Sequence, residues 1–162
     1  MDFFMKYARA NITGGKEYPE IKGCVFFKET TDGVLLTAQI KGLPQSNNNC
    51  KGRFFGFHIH EGSSCSGNSE DEFANAKSHY NPTNCAHPFH AGDLPPLIEN
   101  NGYAYMSVLI DKFKIQDIIG KVVIIHDSPD DFTSQPSGNS GKKIACGKIE
   151  EFIILLSYVD ML

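Results

Sequence analysis

The sequence has little of what typifies a nucleic-acid-binding protein or a membrane protein. Its 162 residues include 15 Lys or Arg and 19 Asp or Glu, for a net charge of −4 at pH 7, and no cluster of basic side chains is present. Neither DNA nor RNA is therefore an expected partner. The longest apolar run, Phe152–Leu156, is five residues long, whereas a membrane-spanning helix needs about 20. No membrane contact is expected.

A recognisable secretory signal is also lacking. The segment Met1–Lys6 has no basic start followed by a long apolar stretch. If the chain is complete, this predicts a cytoplasmic protein, and if the chain is a processed form, an exported one. The length fits one domain with a sizeable core, and no internal repeat or linker divides the sequence.

Long runs of apolar residues at helical spacing are lacking as well, and the pattern is all-β. Segments rich in Val, Ile, Phe and Tyr are bounded by Gly, Asn, Asp or Pro, which is typical of short strands. Asp32 and Gly33 form a dipeptide that predicts a tight hairpin. Many short strands with frequent turns predict a sandwich or a barrel. The predicted strands are 20–29, 34–43, 54–60, 103–110, 122–125 and 144–152.

One long segment, 61–101, has little strand character. It is rich in Ser, Asn, Gly and Pro, yet it carries His79, His87, His90 and Asp93. Loops this long in compact domains are often functional. Three imidazoles and one carboxylate, spaced H-x7-H-x2-H-x2-D, make a tetrahedral donor set that suits Zn²⁺. We therefore expect a metal to order this loop, and the alternative is disorder.

The other three histidines lie on predicted strands. His58 and His60 share one face of a strand, because alternate side chains of a strand project in the same direction. His126 follows the apolar run 122–125 and closes that strand. Imidazole ligands suit copper well. All six histidines of the chain thus have a place in one metal centre.

Four motifs, in order along the chain, resemble those of the copper/zinc superoxide dismutase family. They are Gly-Phe-His-Ile-His-Glu at 56–61, His-Tyr-Asn-Pro at 79–82, His-Ala-Gly-Asp-Leu at 90–94, and Gly-Asn-Ser-Gly with Ala-Cys-Gly within 138–147. The third motif, which continues with Pro, is closer to bacterial than to animal members.

The resemblance covers about residues 5–153 and implies an all-β fold: a Greek-key β-sandwich, or flattened eight-stranded barrel, with two long functional loops. It places this domain at 1–153. The apolar C-terminal extension 154–162 is then either an added edge strand or an oligomer contact.

The resemblance also implies an activity, the dismutation of superoxide to dioxygen and hydrogen peroxide, with one copper and one zinc ion per subunit. Copper would alternate between two oxidation states. His79 would bridge the two ions as an imidazolate, which two flanking cations make feasible, and would supply a proton as a catalytic residue. The implied copper ligands are His58, His60, His79 and His126, and the implied zinc ligands are His79, His87, His90 and Asp93.

Asp130 and two cysteines match further family positions. Asp130 would hydrogen-bond the far nitrogens of His58 and His87 and fix their orientation, and the alternative is a solvated loop carboxylate. Cys65 and Cys146 match the family's disulfide. The alternative for them is two reduced thiols, which a reducing cytosol favours.

The chain has five cysteines, so at least one is free or bonds to another chain. Cys24 is predicted to be a core residue. Cys85 lies among the implied zinc ligands and is interpreted as a bystander, with a thiolate ligand as the less favoured alternative. Cys50 has no assigned role.

The chain departs from the family at the substrate channel. Lys143 stands where the family has the arginine that binds superoxide beside copper, and lysine lacks the planar fork of hydrogen-bond donors. The loop between His126 and Gly141 is shorter than in animal members and carries aspartates but no basic residue. Lys142 and Lys143 must then attract the anion. We expect Lys143 to be catalytic and the activity to be reduced rather than abolished.

Two other functions are compatible with parts of the pattern. A weakly active or non-catalytic copper- or zinc-binding protein, such as a metal store or decoy, would share the scaffold. A zinc hydrolase would need an open zinc position, which a set of four ligands does not offer. Superoxide dismutation is the leading hypothesis, and a second copy of the chain and a copper donor protein are candidate partners.

Overall fold

The computed structural model describes residues 6–46 and 52–152, and their regular secondary structure is almost entirely β. Cys50 and the extension 154–162 lie outside the described residues, as do the first positions of the predicted domain. No helix in the described ranges has the length and apolarity that crossing a membrane requires. The elements are β1 Tyr7–Gly14, β2 Lys22–Thr30, β3 Gly33–Lys41, β4 Phe54–Phe55, β5 Phe57–His60, a 3₁₀ turn Ala74–Ala76, β6 Leu97–Ile98, β7 Tyr103–Ile110, α1 Ile115–Ile118, β8 Val122–His126 and β9 Lys143–Glu151.

Seven of these strands form one sheet in the order β5-β8-β9-β1-β2-β3-β7, and β4 pairs with β6 in a second, small sheet. Every pairing is antiparallel. The seven-stranded sheet curls around one apolar core, to which all its strands contribute. The all-β fold class predicted from the sequence is confirmed.

The predicted strand 54–60 is split at Gly56 into β4 and β5. Gly56 N–H donates to Ser128 O at 2.8 Å, and its carbonyl accepts His126 N–H at 2.8 Å. The side chain of Ser140 packs so closely that a Cβ at residue 56 would lie 2.8 Å from it. The interruption therefore comes from packing against distant residues, which local sequence patterns do not report.

Strand β1 was not predicted, and its inward side explains why. The buried side chains of this strand are Ala8, Ala10 and Ile12. Two of the three are alanines, which have low strand propensity. Pairing with β2 on one side and β9 on the other stabilises this strand.

The prediction that Cys24 is a core residue is wrong. Val25 is fully buried, and side chains alternate along a strand. Cys24 therefore points to the outer face of β2. It is half-buried there, with its Sγ 3.7 Å from Asn11 Oδ1.

The loop 61–101 lies along β5. Ile59 N–H donates to Gly92 O at 2.9 Å, and Tyr80 N–H donates to Ile59 O at 2.8 Å. A Cβ at Gly92 would lie 2.2 Å from Ile59 O, so only glycine allows this close approach. The backbone contacts bring the histidines of the loop against the histidines of the strand.

Candidate metal centre

The structure brings all six histidines and Asp93 into two adjoining groups. Within each group, one potential ligand atom per residue lies within 4.8 Å of those of the other members. Every member is buried, and His79 belongs to both groups. We call them the strand group, His58, His60, His79 and His126, and the loop group, His79, His87, His90 and Asp93.

Strand geometry assembles the strand group. His58 and His60 lie on the same face of β5, and β5 pairs with β8, which ends at His126. A register irregularity lies between Ile125 and His126. An isolated bridge between His60 and His79 joins the loop to the edge of β5.

Three imidazoles of the strand group contact an oxygen outside the group through one ring nitrogen. His58 Nε2 lies 2.7 Å from Asp130 Oδ2, His60 Nδ1 lies 2.7 Å from the carbonyl of Lys77, and His126 Nδ1 lies 3.2 Å from the carbonyl of Gly141. An imidazole that donates to an oxygen through one nitrogen keeps the other as an acceptor or a ligand. The other nitrogens are His58 Nδ1, which has no hydrogen-bond partner, and His60 Nε2 and His126 Nε2, which lie 3.3 Å from each other.

The loop group converges on the carboxylate of Asp93. His79 Nδ1 lies 2.8 Å from Oδ1, while His87 Nδ1 and His90 Nδ1 lie 3.1 Å and 3.3 Å from Oδ2. The backbone N–H of His90 also donates to Oδ2 at 3.0 Å. Three imidazole nitrogens thus face the two oxygens of one carboxylate, which is the donor set that suits a closed zinc site.

Unpartnered nitrogens show that both groups fit a metal. Among the described residues, His58 Nδ1, His79 Nε2, His87 Nδ1 and His90 Nδ1 are buried and make no hydrogen bond of normal geometry, although the last two lie close to the Asp93 carboxylate. Leaving one such atom unsatisfied costs about 1–3 kcal/mol. A metal ion in each group would satisfy all four, and for His58 and His87 the far nitrogen is already occupied by Asp130. The donor types suit copper in the strand group and zinc in the loop group.

Asp130 belongs to neither group but contacts one histidine of each. Its Oδ2 lies 2.7 Å from His58 Nε2, and its Oδ1 lies 2.9 Å from His87 Nε2 and accepts the Phe132 N–H at 2.7 Å. Gly138 packs against this contact with φ +67°, and a Cβ there would lie 2.0 Å from Oδ1. The carboxylate therefore touches one member of each group, in a position that its surroundings define.

Burial and hydrogen bonding set the protonation states. Desolvation lowers the pKa of His58 and His60, and lowers that of His126 to about 3. Burial alone would raise the pKa of Asp93 and of Asp130, but hydrogen bonds outweigh it, from His79 to Asp93 and from His58, Phe132 and His87 to Asp130, so the net pKa is lowered. At neutral pH these three imidazoles are neutral and these two carboxylates ionised, which are the forms that bind a metal.

Lys143 is the first residue of β9 and is the sheet partner of His126. Its ammonium donates to Asp71 Oδ2, an ion pair that the sequence analysis did not predict. The two residues are 72 positions apart, and neither their spacing nor a motif links them.

Gln135 and Lys112 also support the loop group, and the sequence did not predict their contacts. The side chain of Gln135 accepts the His87 N–H at 3.0 Å and donates to the His87 carbonyl at 2.8 Å. Lys112 Nζ donates to the carbonyls of His90 at 3.3 Å and Asp93 at 3.2 Å. Because every residue has a backbone carbonyl, no sequence signal marks such contacts.

The predicted disulfide between Cys65 and Cys146 is present, with a Cα–Cα distance of 5.6 Å. It ties the loop 61–101 to β9. Cys85 is exposed, its Sγ lies 3.2 Å from Thr83 Oγ1, and it belongs to neither histidine group.

Comparisons with known proteins agree with this geometry. Residues 21–149 match the family model for copper/zinc superoxide dismutase. The chain is similar to Cu-Zn superoxide dismutase 2 of Aquifex aeolicus, with 34% identity over 145 residues that cover 80% of each chain. It is also similar to the Cu-Zn superoxide dismutase of Legionella pneumophila, with 34% identity over 146 residues that cover 85% of this chain and 82% of the relative.

Among solved structures, the Cu/Zn superoxide dismutase from Brucella abortus resembles this fold with a TM-score of 0.75 and 26% identity. The match covers 89% of this chain and 99% of that one. The bacterial character of the resemblance seen in the sequence is confirmed.

Proposed function

Because the chain belongs to the copper/zinc superoxide dismutase family, we propose that it dismutates superoxide to dioxygen and hydrogen peroxide. Copper, held by His58, His60, His79 and His126, would supply the one-electron chemistry, since it has two accessible oxidation states. Zinc, held by His79, His87, His90 and Asp93, would order the loop.

One observation carries this proposal: His79 is shared by two complete donor groups. Its Nδ1 faces Asp93 in the loop group, and its Nε2 is buried without a partner on the side of the strand group. A residue with this arrangement can give up both ring protons when cations flank it. We assign His79 Nε2 as the atom that would take up a proton again and donate it to form peroxide.

The roles of Asp130 and Lys143 follow from their contacts. Asp130 accepts from His58 and His87 and so keeps their Nδ1 atoms directed into the two groups. Lys143, beside His126 in the sheet, would attract the superoxide anion. With lysine in place of the family arginine, which loses the paired donors, we propose a reduced rate.

A second function is favoured by one observation, the ion pair between Lys143 and Asp71. If that pair keeps superoxide from the metal, the chain is a weakly active or non-catalytic copper- and zinc-binding protein on the same scaffold.

Combined metal and rate measurements separate the two functions. The purified chain is loaded with copper and zinc, and metal content and superoxide dismutation are measured on the same sample. We expect two ions per chain and turnover far above that of a matched sample loaded with zinc alone. Full loading without such turnover would contradict the enzyme and favour the binding protein.

Assembly, copper delivery and location stay predictions. We propose a homodimer, a copper donor protein as a partner, and a location in the cytoplasm or, for a processed form, outside it. Gel filtration at several protein concentrations would test the dimer.

A further inference from the structure

The Lys143–Asp71 ion pair lies beside the strand group. Lys143 is the sheet partner of His126, a member of that group, so its side chain starts next to this imidazole. The Lys143 side chain is 16% exposed and the Asp71 side chain 41% exposed. Both residues line a groove of about 430 Å³ that contains charged side chains of both signs, so an anion in this groove meets the pair.

The fold holds Asp71 in place. Asp71 N–H donates to Asn68 Oδ1 at 2.9 Å, and Asp71 Oδ1 accepts the Phe73 N–H at 3.0 Å. These bonds leave Oδ2 for the ammonium of Lys143. Asp71 and Lys143 thus meet through a defined turn, unlike surface pairs that hold two long, mobile side chains and contribute little.

The disulfide lies close in sequence to both members of the ion pair. The disulfide joins Cys65, six positions before Asp71, to Cys146, three positions after Lys143. The two charged residues therefore lie near a crosslink between the loop and β9. Burial alone would raise the pKa of Asp71, but the hydrogen bond and charge of Lys143 outweigh it and lower the pKa, so the carboxylate carries its charge at neutral pH.

We propose that Asp71 is an internal competitor for the anion-binding ammonium of Lys143, and so sets the affinity of the site for small anions. The inference rests on the proposed function for the role of Lys143. An incoming anion must displace the Asp71 carboxylate or bind beside it against like-charge repulsion. Asp71 is thus a specificity-determining residue that lowers anion affinity.

Asp71→Asn tests this inference, because it removes the charge and keeps Oδ1 as an acceptor for Phe73 N–H. The probe is azide, a small anion, titrated by absorption into the protein loaded with copper and zinc. We expect the variant to bind azide about 3- to 10-fold more tightly, where tenfold corresponds to about 1.4 kcal/mol. Asp71→Ser also keeps an acceptor and must show the same gain if Asp71→Asn does not fold.

Two comparisons make the test specific. Glu70→Gln removes the same charge one residue away in the same groove, and it should change azide affinity less than twofold. In a Lys143→Met background, Asp71→Asn should give no more than the change seen with Glu70→Gln, because the ammonium for which Asp71 competes is gone.

Equal azide affinity in wild type and Asp71→Asn, or an equal gain in Glu70→Gln, would overturn the inference. Dismutation by the wild type, measured on the same samples, decides the proposed function separately. A loaded wild type without turnover contradicts the enzyme, while the azide ratio still decides whether Asp71 competes for Lys143.

Discussion

The buried histidine groups and the charged pair beside them are held in different ways. The seven metal-site residues are at most 8% exposed. Four of the histidines also contact another protein atom through the ring nitrogen that points away from the group. In the pair, the carboxylate of Asp71 is 41% exposed. Interior substitutions should therefore change metal binding, and substitutions at the pair should change how anions reach the metal.

The largest effect is expected from removing the residue that both groups share. His79→Ala deletes one ligand from each group, so dismutation should fall by at least about a thousandfold, as when an essential group is lost, and both metals should bind more weakly. Metal content and rate are measured together. Ser78→Ala, an exposed neighbour in the same loop, is the matched control and should behave as wild type. Full loading and activity in His79→Ala would show that the two groups do not depend on a common ligand.

Loss of the disulfide tests how strongly the crosslink between β9 and the loop that carries Asp71 stabilises the fold. Cys65→Ser should lower the free energy of unfolding of the metal-free protein by about 4 kcal/mol in the chain-entropy model, because the bond spans a sequence separation of 81 residues. Cys65 is exposed, so the hydroxyl itself adds no burial cost. Urea unfolding measures the difference. Cys85→Ser, an exposed free thiol, should leave stability unchanged, and equal midpoints for both variants would argue against a stabilising crosslink.

Asp130 offers a graded test of the interior, since it contacts one member of each group. Asp130→Asn cannot accept from both His58 and His87 as the carboxylate does, so copper and zinc affinity should each fall by about 10- to 100-fold. Competition with a chelator of known affinity measures this. Asp131→Asn, an adjacent carboxylate that bonds within its own turn, should have little effect. A loss confined to one metal would mean that the two groups are positioned independently.

The interior was predictable from the sequence because its geometry is local or follows family motifs. His58 and His60 share a face by strand periodicity alone. The resemblance links His79 and Asp130 to them. Asp71 could not be predicted in the same way, since its contact with Lys143 spans 72 residues and depends on how one turn is placed against β9.

The fold shows the same division. The apolar alternation of β2, β3 and β7 identified them, with end positions shifted by up to two residues. Strand β1 was missed because Ala8 and Ala10 fill its inward side, and the break at Gly56 was missed because Ser128 and Ser140, far along the chain, impose it. Elements with a strong local pattern were predictable, and those set by distant packing were not.

The smallest effect is expected from a substitution at the charged pair. Lys143→Arg restores the planar fork of donors, so kcat/KM for superoxide should rise by a small factor. Asp71 limits the gain, because its carboxylate can also take the fork in two parallel hydrogen bonds. The increase should therefore be larger in an Asp71→Asn background than in wild type, and smaller at high salt, which screens exposed charges. Lys142→Arg makes the same change at an exposed neighbour and should leave the rate unaltered. If Lys143→Arg gives the same gain in both backgrounds, Asp71 does not compete with the substrate.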